Sequence, residues 1–440
     1  MLFLRNIRHL IVDANTVLHN ADMLIDGERI VQTGVSLFAP ANAEMIDCRD
    51  CAVLPGFVNA HTHLYQTLLT GRRDDLPLSG WCDEVLTPPI TALYTHFLKQ
   101  DRERISYLWT AAGICEMLKS GVTAFFNMDL NYGQDGMFRA TRQANVRGYI
   151  GVELADLFLS DEAGLARDSL EIDRLLDTYP DTAVLTPSEP NLCSEGALKS
   201  MAERMRSHGA LTQIHVDETA KEAAQCIAER NMTELEYLHS LGYLSPRFSA
   251  VHGVHFSKRE IQLAAQYGIT VVYNPKSNAK LGSGVCPVPV LMDAGINIAL
   301  ATDGPASNDR LDMLEEMRAG VMLQRAVNAN AGILSARDVF SMATMGGARM
   351  LMLDAGCLKA GALADFSIVP LDRPSLSFGI GDPISSIVFC AKSGDIRDVY
   401  VGGKPTLKDY RVVGLDEAAI AKEFANLSDE LQEAIRIQSM

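Results

Sequence analysis

The chain has 440 residues, of which 48% are hydrophobic and 21% are charged. This composition is that of a folded globular protein and excludes a disordered one. Lys and Arg number 39 against 55 Asp and Glu, so the formal net charge is −16, and the chain lacks the positive field that attracts nucleic-acid polymers or membrane surfaces.

The amino-terminal segment predicts a small β structure. Short apolar runs alternate with polar residues over residues 1–54. Asp26-Gly27 lies between two such runs and is a hairpin signal.

Segments that would direct the chain to a membrane or out of the cell are not expected. Arg5, Arg8 and Asp13 interrupt the first residues, so the start does not predict a signal peptide. No run of about 18 apolar residues predicts a membrane span. The nine cysteines are scattered and odd in number, which favours reduced thiols and a cytoplasmic protein.

A repeated unit begins near residue 55. Eight apolar runs without alternation follow one another, and helix-like segments such as 219–241 lie between them. The runs lie at 54–61, 122–128, 147–154, 182–188, 211–218, 248–256, 270–275 and 297–304. Such runs are typical of parallel strands buried on both faces. Eight successive units predict an α/β fold, a closed (β/α)8 TIM barrel. The runner-up, an open parallel sheet, lacks a Gly-x-Gly-x-x-Gly after its first strand.

The β pattern returns after about residue 360, where residues 385–407 and their neighbours are typical of short strands with turns. They resemble the first 54 residues in character, so we expect both chain ends to pair into a small β-sandwich domain that flanks the barrel. The predicted division is a discontinuous β domain at 1–54 and 360–415, a catalytic barrel at 55–359 and a C-terminal amphipathic helix at 416–440.

Polar side chains collect at the carboxyl ends of the predicted barrel strands, which form the active-site face of this fold. They are His61 and His63 at the first run, His215 and Glu218 at the fifth, His252 at the sixth and Asp303 at the eighth. A buried cluster of this kind would be costly without a bound cation. Imidazole and carboxylate ligands suit one divalent metal, Zn²⁺ first, with Fe²⁺ or Mn²⁺ as alternatives. The complete set argues against a non-catalytic barrel that serves as a binding module.

Several sequence phrases resemble one known family. They are PGFVNAHTHLYQTLLTG from residue 55, HVDET from 215, VHGVHF from 251, TDGPASND from 302, GCLKAGALADFSIV from 356 and IRDVYVGGK from 396. Together they resemble the amidohydrolase superfamily over nearly the whole chain. The branch they resemble most contains the cytosine, guanine and thioadenosine or S-adenosylhomocysteine deaminases, with the triazine hydrolases.

The resemblance implies a role for each polar residue. His61, His63, His215 and Asp303 match the metal ligands of the superfamily. Glu218 matches the acid/base group that shuttles protons, and His252 matches the residue that polarises the attacked centre. Binuclear members carry a bridging lysine at the end of strand four, where this chain has residues 186–189 without a lysine. The resemblance therefore implies a single metal.

The same residues define a hydrolytic mechanism. A metal lowers the pKa of bound water from about 15.7 toward about 7 and supplies hydroxide at neutral pH. Asp303 can accept the proton of that water, the hydroxide attacks a ring carbon that bears an amino group, and Glu218 protonates the leaving ammonia. His252 stabilises the developing charge. The prediction is a metal-dependent hydrolytic deaminase of an aminated N-heterocycle, an enzyme acting on C–N bonds other than peptide bonds.

Five further residues are expected to contact the substrate. They are Gln66, Trp81, Ser188, Glu189 and Asn278. Trp81 lies in the long segment after the first strand and can stack on a flat heterocycle. The thioadenosine and S-adenosylhomocysteine deaminases typically carry a histidine where Ser188 stands, and often His-Asn-Pro where this chain has Tyr273-Asn274-Pro275. These departures put an adenosine-type substrate in doubt.

The sequence leaves the substrate open among a purine, pterin or pyrimidine base, or an adenosine-type nucleoside. The alternative function is hydrolysis of another bond on the same scaffold, such as a triazine C–Cl or C–N bond or an amide. The expected partner is a small heterocycle, and the physiological metal and a homo-oligomeric state also stay open.

Overall fold

The structure is a computed structural model that describes residues 1–97, 101–158 and 162–438, with the backbone alone for residues 162–167. Within these ranges the chain forms seventeen β-strands, which are divided between a parallel barrel and a mixed sheet. The strands are β1 (Leu2–Asp13), β2 (Thr16–Asp26), β3 (Arg29–Gly34), β4 (Glu44–Asp47), β5 (Cys51–Pro55), β6 (Phe57–Thr62), β7 (Val122–Asp129), β8 (Arg147–Leu154), β9 (Ala183–Pro187), β10 (Thr212–Val216), β11 (Phe248–His252), β12 (Thr270–Tyr273), β13 (Asn297–Leu300), β14 (Phe366–Pro370), β15 (Asp398–Val401), β16 (Lys404–Lys408) and β17 (Arg411–Val412).

Helices connect the barrel strands and close the chain. They are α1 (Leu78–Trp81), α2 (Thr87–Thr95), α3 (Arg102–Lys119), α4 (Gln134–Ala144), α5 (Glu162–Thr178), α6 (Glu195–His208), α7 (Ala220–Arg230), α8 (Glu234–Ser240), α9 (Lys258–Tyr267), α10 (Pro275–Lys280), α11 (Val288–Asp293), α12 (Pro305–Asn308), α13 (Met313–Val327), α14 (Ala336–Ser341), α15 (Gly347–Met350), α16 (Pro383–Cys390) and α17 (Glu417–Gln438). None of the helices in the described part of the chain combines the length and the apolar character that crossing a bilayer requires.

The strands β6 to β13 form the barrel sheet, in which each strand pairs in parallel with the next along the chain. Six of the eight strands fall within the apolar runs predicted from the sequence, and β6 and β7 extend one residue beyond theirs. The TIM-barrel prediction is confirmed. The eighth strand lies next to the first. The backbone N–H of Asp303, just after β13, donates to the carbonyl of His61 at 3.1 Å. This contact brings the first and eighth strand ends together.

The two chain ends build one sheet beside the barrel. Its strand order is β17-β16-β15-β14-β5-β1-β2-β3, with β4 paired to β1, which makes nine strands among the described residues. The ends meet where β5 pairs antiparallel with β14, from Cys51 opposite Pro370 to Pro55 opposite Phe366. A separate β layer built from both termini is thus confirmed, as a mixed sheet with its own apolar cluster. The domain boundaries themselves stay predictions.

The carboxyl-terminal β prediction is wrong in one place. The stretch 385–407 was expected to form strands and turns, yet its first six residues belong to α16. The side chain of Asp382 accepts a hydrogen bond from Ile384 N at 3.3 Å, and Pro383 occupies the first helical position. These two signals start a helix and outweigh the β-branched composition that follows.

The segment predicted as one helix at 219–241 contains a break. The helix α7 ends at Asn231, whose φ of 54° is left-handed. Thr233 then starts α8 with a capping box, in which its hydroxyl accepts from Glu236 N and the Glu236 carboxylate accepts from Thr233 N. Asn readily adopts this conformation and Thr caps a helix well, so two helices replace one.

Three short parts of the predicted ranges lie outside the described residues. The barrel range 55–359 includes residues 98–100 and 159–161, and the helix range 416–440 includes residues 439–440.

Candidate active site

Three imidazole rings converge at the carboxyl ends of the first and fifth barrel strands. His61 is part of β6, His63 follows it directly, and His215 is part of β10. Because His61 and His63 are two residues apart on extended backbone, both rings project to the same side. Their Nε2 atoms lie 3.1 Å apart, and Nε2 of His215 lies 3.2 Å from Nε2 of His61.

Each of these rings is oriented by an acceptor at its other nitrogen. The Nδ1 acceptors of His61, His63 and His215 are Gln213 Oε1 at 3.0 Å, Met128 O at 2.8 Å and Ser188 O at 2.8 Å. The Gln213 amide is fixed, since its Nε2 donates to Ala60 O at 2.7 Å and its oxygen therefore faces the ring. Each Nδ1 then carries the hydrogen, and three Nε2 lone pairs point toward one another.

This arrangement fits a divalent cation. Metal–nitrogen distances of about 2.0–2.1 Å place two ligand nitrogens about 3 Å apart, which is the spacing seen here. Burial, followed by the charge of His61, lowers the pKa of His63 to about 3 and that of His215 well below its usual range. Both rings are therefore held in the neutral form that binds metals.

The carboxylate of Asp303 completes one side of the cluster. Its Oδ1 lies 3.4 Å from His61 Nε2 and 3.5 Å from His63 Nε2, and its Oδ2 accepts from Ser277 Oγ at 2.7 Å. Burial alone would raise the pKa of Asp303, but hydrogen bonding and attraction to His61 outweigh it and hold this pKa well below its usual range. An ionised carboxylate beside three imidazoles is a suitable donor set for a metal.

Glu218 and His252 form a second pair beside the cluster. Oε2 of Glu218 lies 3.2 Å from Nε2 of His252, and Oε1 accepts from Ser283 Oγ at 2.8 Å. Nδ1 of His252 donates to Asn278 Oδ1 at 2.8 Å. Burial, followed by the charge of Glu222, raises the pKa of Glu218 well above its usual range, which favours a carboxyl that keeps its proton.

Two of these residues have left-handed backbone. His252, with a φ of 75°, ends β11, and Asp303, with a φ of 62°, follows β13. Such conformations cost about 1–3 kcal/mol and concentrate at functional sites. Gly304 follows Asp303 in the chain. A Cβ at position 304 would lie 1.9 Å from Gln66 Oε1, so only glycine lets the Gln66 amide approach the backbone here.

A cavity of about 400 Å³ opens above these groups. Five residues of the site line this cavity: His63, His215, Glu218, His252 and Asp303. Binding sites for small molecules commonly have volumes of about 300–1,000 Å³. The site can therefore hold a metal ion and a heterocycle against an acid/base pair.

The sequence pattern of the Amidohydrolase family matches residues 52–406, which is most of the chain. The chain belongs to the amidohydrolase family. The similarity to individual relatives extends over almost the whole length of this amidohydrolase.

Two curated relatives and one solved structure illustrate the similarity. The 5-methylthioadenosine/S-adenosylhomocysteine deaminase of Thermococcus kodakarensis is 37% identical over 400 residues, covering 90% of this chain and 92% of that protein. The 5′-deoxyadenosine deaminase of Methanococcus vannielii is 33% identical and covers 91% of this chain and 94% of its own. An adenosine deaminase of Xanthomonas campestris with bound zinc superposes with a TM-score of 0.89, at 29% identity and 98% coverage of both chains.

The amidohydrolase cavity contains four of the five residues predicted to contact substrate. Gln66, Trp81, Ser188 and Glu189 line it. Asn278 is not among the lining residues; its side chain instead supports His252. The contact of all five with substrate stays a prediction.

Four functional groups of this amidohydrolase were missed by sequence reasoning. They are Glu153 in the cavity wall, Gln213 behind His61, Ser277 on Asp303 and Ser283 on Glu218. A signal existed for Glu153, since it is a carboxylate at the end of the third predicted strand. The other three residues form hydrogen bonds with partners that lie 26 to 152 positions away in the sequence. No local sequence pattern reveals such contacts.

Proposed function

We propose that this amidohydrolase is a metal-dependent hydrolytic deaminase that removes the amino group of an adenosine-type nucleoside and releases ammonia. The observation that carries the proposal is the convergence of three imidazole Nε2 atoms beside Asp303, directly below a cavity that also holds the Glu218–His252 pair. The relatives named as deaminases of adenosine derivatives support the substrate class.

His61, His63, His215 and Asp303 would hold one divalent metal, for which we propose Zn²⁺. The set of nitrogen and oxygen donors and the zinc found in the similar adenosine deaminase support this choice, with Fe²⁺ and Mn²⁺ as alternatives. When bound, such a metal lowers the pKa of water toward about 7 and supplies a nucleophile at neutral pH.

The protein side chains then handle the protons. The ionised Asp303 is the group that accepts a proton at Oδ1, on the side facing the histidines. Glu218, with its raised pKa, gives its proton to a ring nitrogen. The resulting carboxylate then takes up the proton of the newly added hydroxyl group and passes it to the leaving ammonia. Nδ1 of His252 donates to Asn278, and this bond orients the ring with Nε2 beside Glu218. When Nε2 also carries a proton, the ring can stabilise developing charge at the reacting centre.

A substrate panel on metal-reconstituted protein tests the proposal. We expect ammonia release from 5′-deoxyadenosine and 5-methylthioadenosine, with guanine and a chlorinated triazine as comparison substrates. Chloride release from the triazine with no ammonia from any nucleoside would instead support the alternative function on this scaffold.

Substitution of the cluster gives a matched test of the metal. His215→Ala and Asp303→Ala should reduce bound metal and lower turnover by at least about 10³-fold, because catalysis depends on the metal site. His239→Ala is the control, since His239 is exposed and bonds only the Tyr267 hydroxyl. Full activity in protein shown to be metal-free would refute the mechanism.

A further inference from the structure

The cavity wall on the third and fourth barrel strands is acidic. Glu153 lies near the carboxyl end of β8 and Glu189 follows β9, and neither strand carries a side chain of the histidine cluster. Among the described lining residues the only lysine or arginine is Lys221, whose side chain is exposed to solvent and therefore screened. This part of the cavity lacks a cation that could bind an anionic group.

Both carboxyl groups have acceptor oxygens to spare. Oε1 of Glu153 accepts from Ser188 Oγ at 2.7 Å, whereas its Oε2 has no hydrogen-bond partner among the described residues. The carboxyl of Glu189 makes neither a hydrogen bond nor an ion pair with any residue that the structure describes. Oxygens of recessed carboxyl groups normally find donors, so a ligand is the natural source of them here.

Two neutral residues that follow the first barrel strand and line the same cavity independently indicate a ligand. Gln66 and Trp81 are 3% and 4% exposed and line the cavity. Oε1 of Gln66 and Nε1 of Trp81 are buried and have no hydrogen-bond partner in the described protein. Buried polar atoms without partners are rare in folded proteins, and the residues that carry these two atoms line a cavity large enough for a ligand.

We propose that Glu153 and Glu189 form a subsite for a cationic or donor-rich group of the substrate, such as an ammonium, and that the cavity selects against phosphate or carboxylate at that position. This inference rests on the proposed deaminase function and names the substrate class within it. In the proposed binding mode the purine lies at the histidine cluster and the 5′ substituent of the nucleoside extends toward β8 and β9.

The electrostatics of the wall support this subsite. Burial, followed by the charges of Glu222 and Glu234, raises the pKa of Glu189 well above its usual range, and burial raises the pKa of Glu153. A further anion placed here would oppose ionisation of these two carboxyl groups still more, whereas a cation would favour their ionised form. An ammonium would relieve the repulsion and form charge-assisted hydrogen bonds with the unused oxygens.

Three nucleosides that differ only at the 5′ position test the inference on the metal-loaded protein. They are 5′-amino-5′-deoxyadenosine, 5′-deoxyadenosine and adenosine 5′-monophosphate, assayed for ammonia release at pH 7. We expect kcat/KM to be about 10-fold higher for the amine than for the deoxy compound and about 100-fold lower for the phosphate.

Glu153→Gln and Glu189→Gln identify the residues responsible. Each substitution keeps the size of the side chain and removes its charge, so the ratio of kcat/KM for the amine to kcat/KM for 5′-deoxyadenosine, measured in the same variant, should fall to about 1. Glu195→Gln is the matched control, because Glu195 is an exposed carboxylate on α6 outside the cavity. It should leave the substrate order unchanged.

The outcomes separate the two proposals. Comparable kcat/KM values for all three nucleosides in the unsubstituted protein, or a preference for the phosphate, would overturn the subsite and leave the deaminase function intact. An amine preference that survives both glutamine variants would also overturn it. Absence of ammonia from all three nucleosides would overturn the proposed function and the subsite together.

Discussion

The three histidines are held by groups that do not touch the metal position. Gln213 illustrates this at the scale of a single residue, since one face of its amide donates to Ala60 O and the other accepts from His61. It therefore fixes both the tautomer and the tilt of the imidazole. Such supporting groups commonly change metal affinity by about 10–100-fold.

Gln213→Leu should therefore weaken metal binding by about 10–100-fold, with the fold retained. The leucine preserves bulk but leaves His61 Nδ1 without its acceptor, so the ring is free to change tautomer. Competition titration with a metal chelator measures the affinity directly. Gln262→Leu, at an exposed position on α9 outside the cavity, is the control. An unchanged affinity in Gln213→Leu would show that the amide does not orient the ligand.

At the scale of elements, the contact between the first and last barrel strands determines the relative position of His61 and Asp303. Nδ2 of Asn59 on β6 donates to Thr302 Oγ1 at 2.8 Å, and its Oδ1 accepts from Thr302 N at 3.0 Å. Asn59 is fully buried, so water cannot replace these bonds without rearrangement. One amide thus links the two strands immediately below the proposed metal ligands.

Asn59→Ala should lower the free energy of unfolding by about 1–3 kcal/mol, because the backbone N–H of Thr302 is left buried and unpaired. Urea denaturation at constant metal concentration measures the change. Asn42→Ala provides the comparison, since Asn42 is exposed. Equal unfolding midpoints for Asn59→Ala and the unsubstituted protein would exclude a structural contribution of this link.

The elements also show where sequence reasoning works. The barrel strands could be predicted because a strand buried on both faces is a continuous apolar run, and the polar residues at the strand ends stand out against it. The helix α16 was missed because the same apolar, β-branched composition suits a packed helix, and only Asp382-Pro383 distinguishes them. The break at Asn231 was missed because helical periodicity continues on both sides of it.

The candidate site was predictable to a similar extent. The residues at the strand ends come together because the fold collects those ends at one face. The groups that orient them could not be predicted, since a side chain such as Ser277 gains its role only when the strand-seven segment packs against the strand-eight segment. The acidic wall of Glu153 and Glu189 likewise depends on the neighbouring positions of β8 and β9.

At the scale of the whole molecule, the net negative charge and the buried carboxyl groups both make the fold less stable as the pH rises. The formal charge is −16. Burial is the main cause that raises the pKa of Asp129 to about 7 and those of Glu234 and Glu316 to about 8. Each carboxyl binds its proton more tightly in the folded than in the unfolded chain. Its stabilising contribution is therefore complete below the ordinary carboxyl pKa and is lost as the pH rises through about 7 to 8.

The Tm of chelator-treated protein should therefore fall by a few degrees between pH 6.5 and pH 9, as roughly 1 kcal/mol moves the Tm of a 150–250-residue domain by about 2–4 °C. Scanning calorimetry at low and high salt separates the effect of surface-charge repulsion from that of ionising the buried carboxyl groups. High salt screens the repulsion of surface charges but not the cost of ionising buried groups.

Glu316→Gln should show a smaller fall over the same interval, because its amide cannot ionise. A Tm that rises with pH, or a fall that high salt abolishes entirely, would contradict a contribution from the buried carboxyl groups.

The pairing of β5 with β14 also constrains the order of events during synthesis. At about 5–20 residues per second, the ribosome needs roughly 15–60 s to make the chain that separates these two strands. Throughout that interval one edge of β5 has no partner, and the barrel is the only large unit that can assemble from the emerging segments. Exposed strand edges are templates for association with other chains. The edge of β5 thus stays open to such association until β14 has been made.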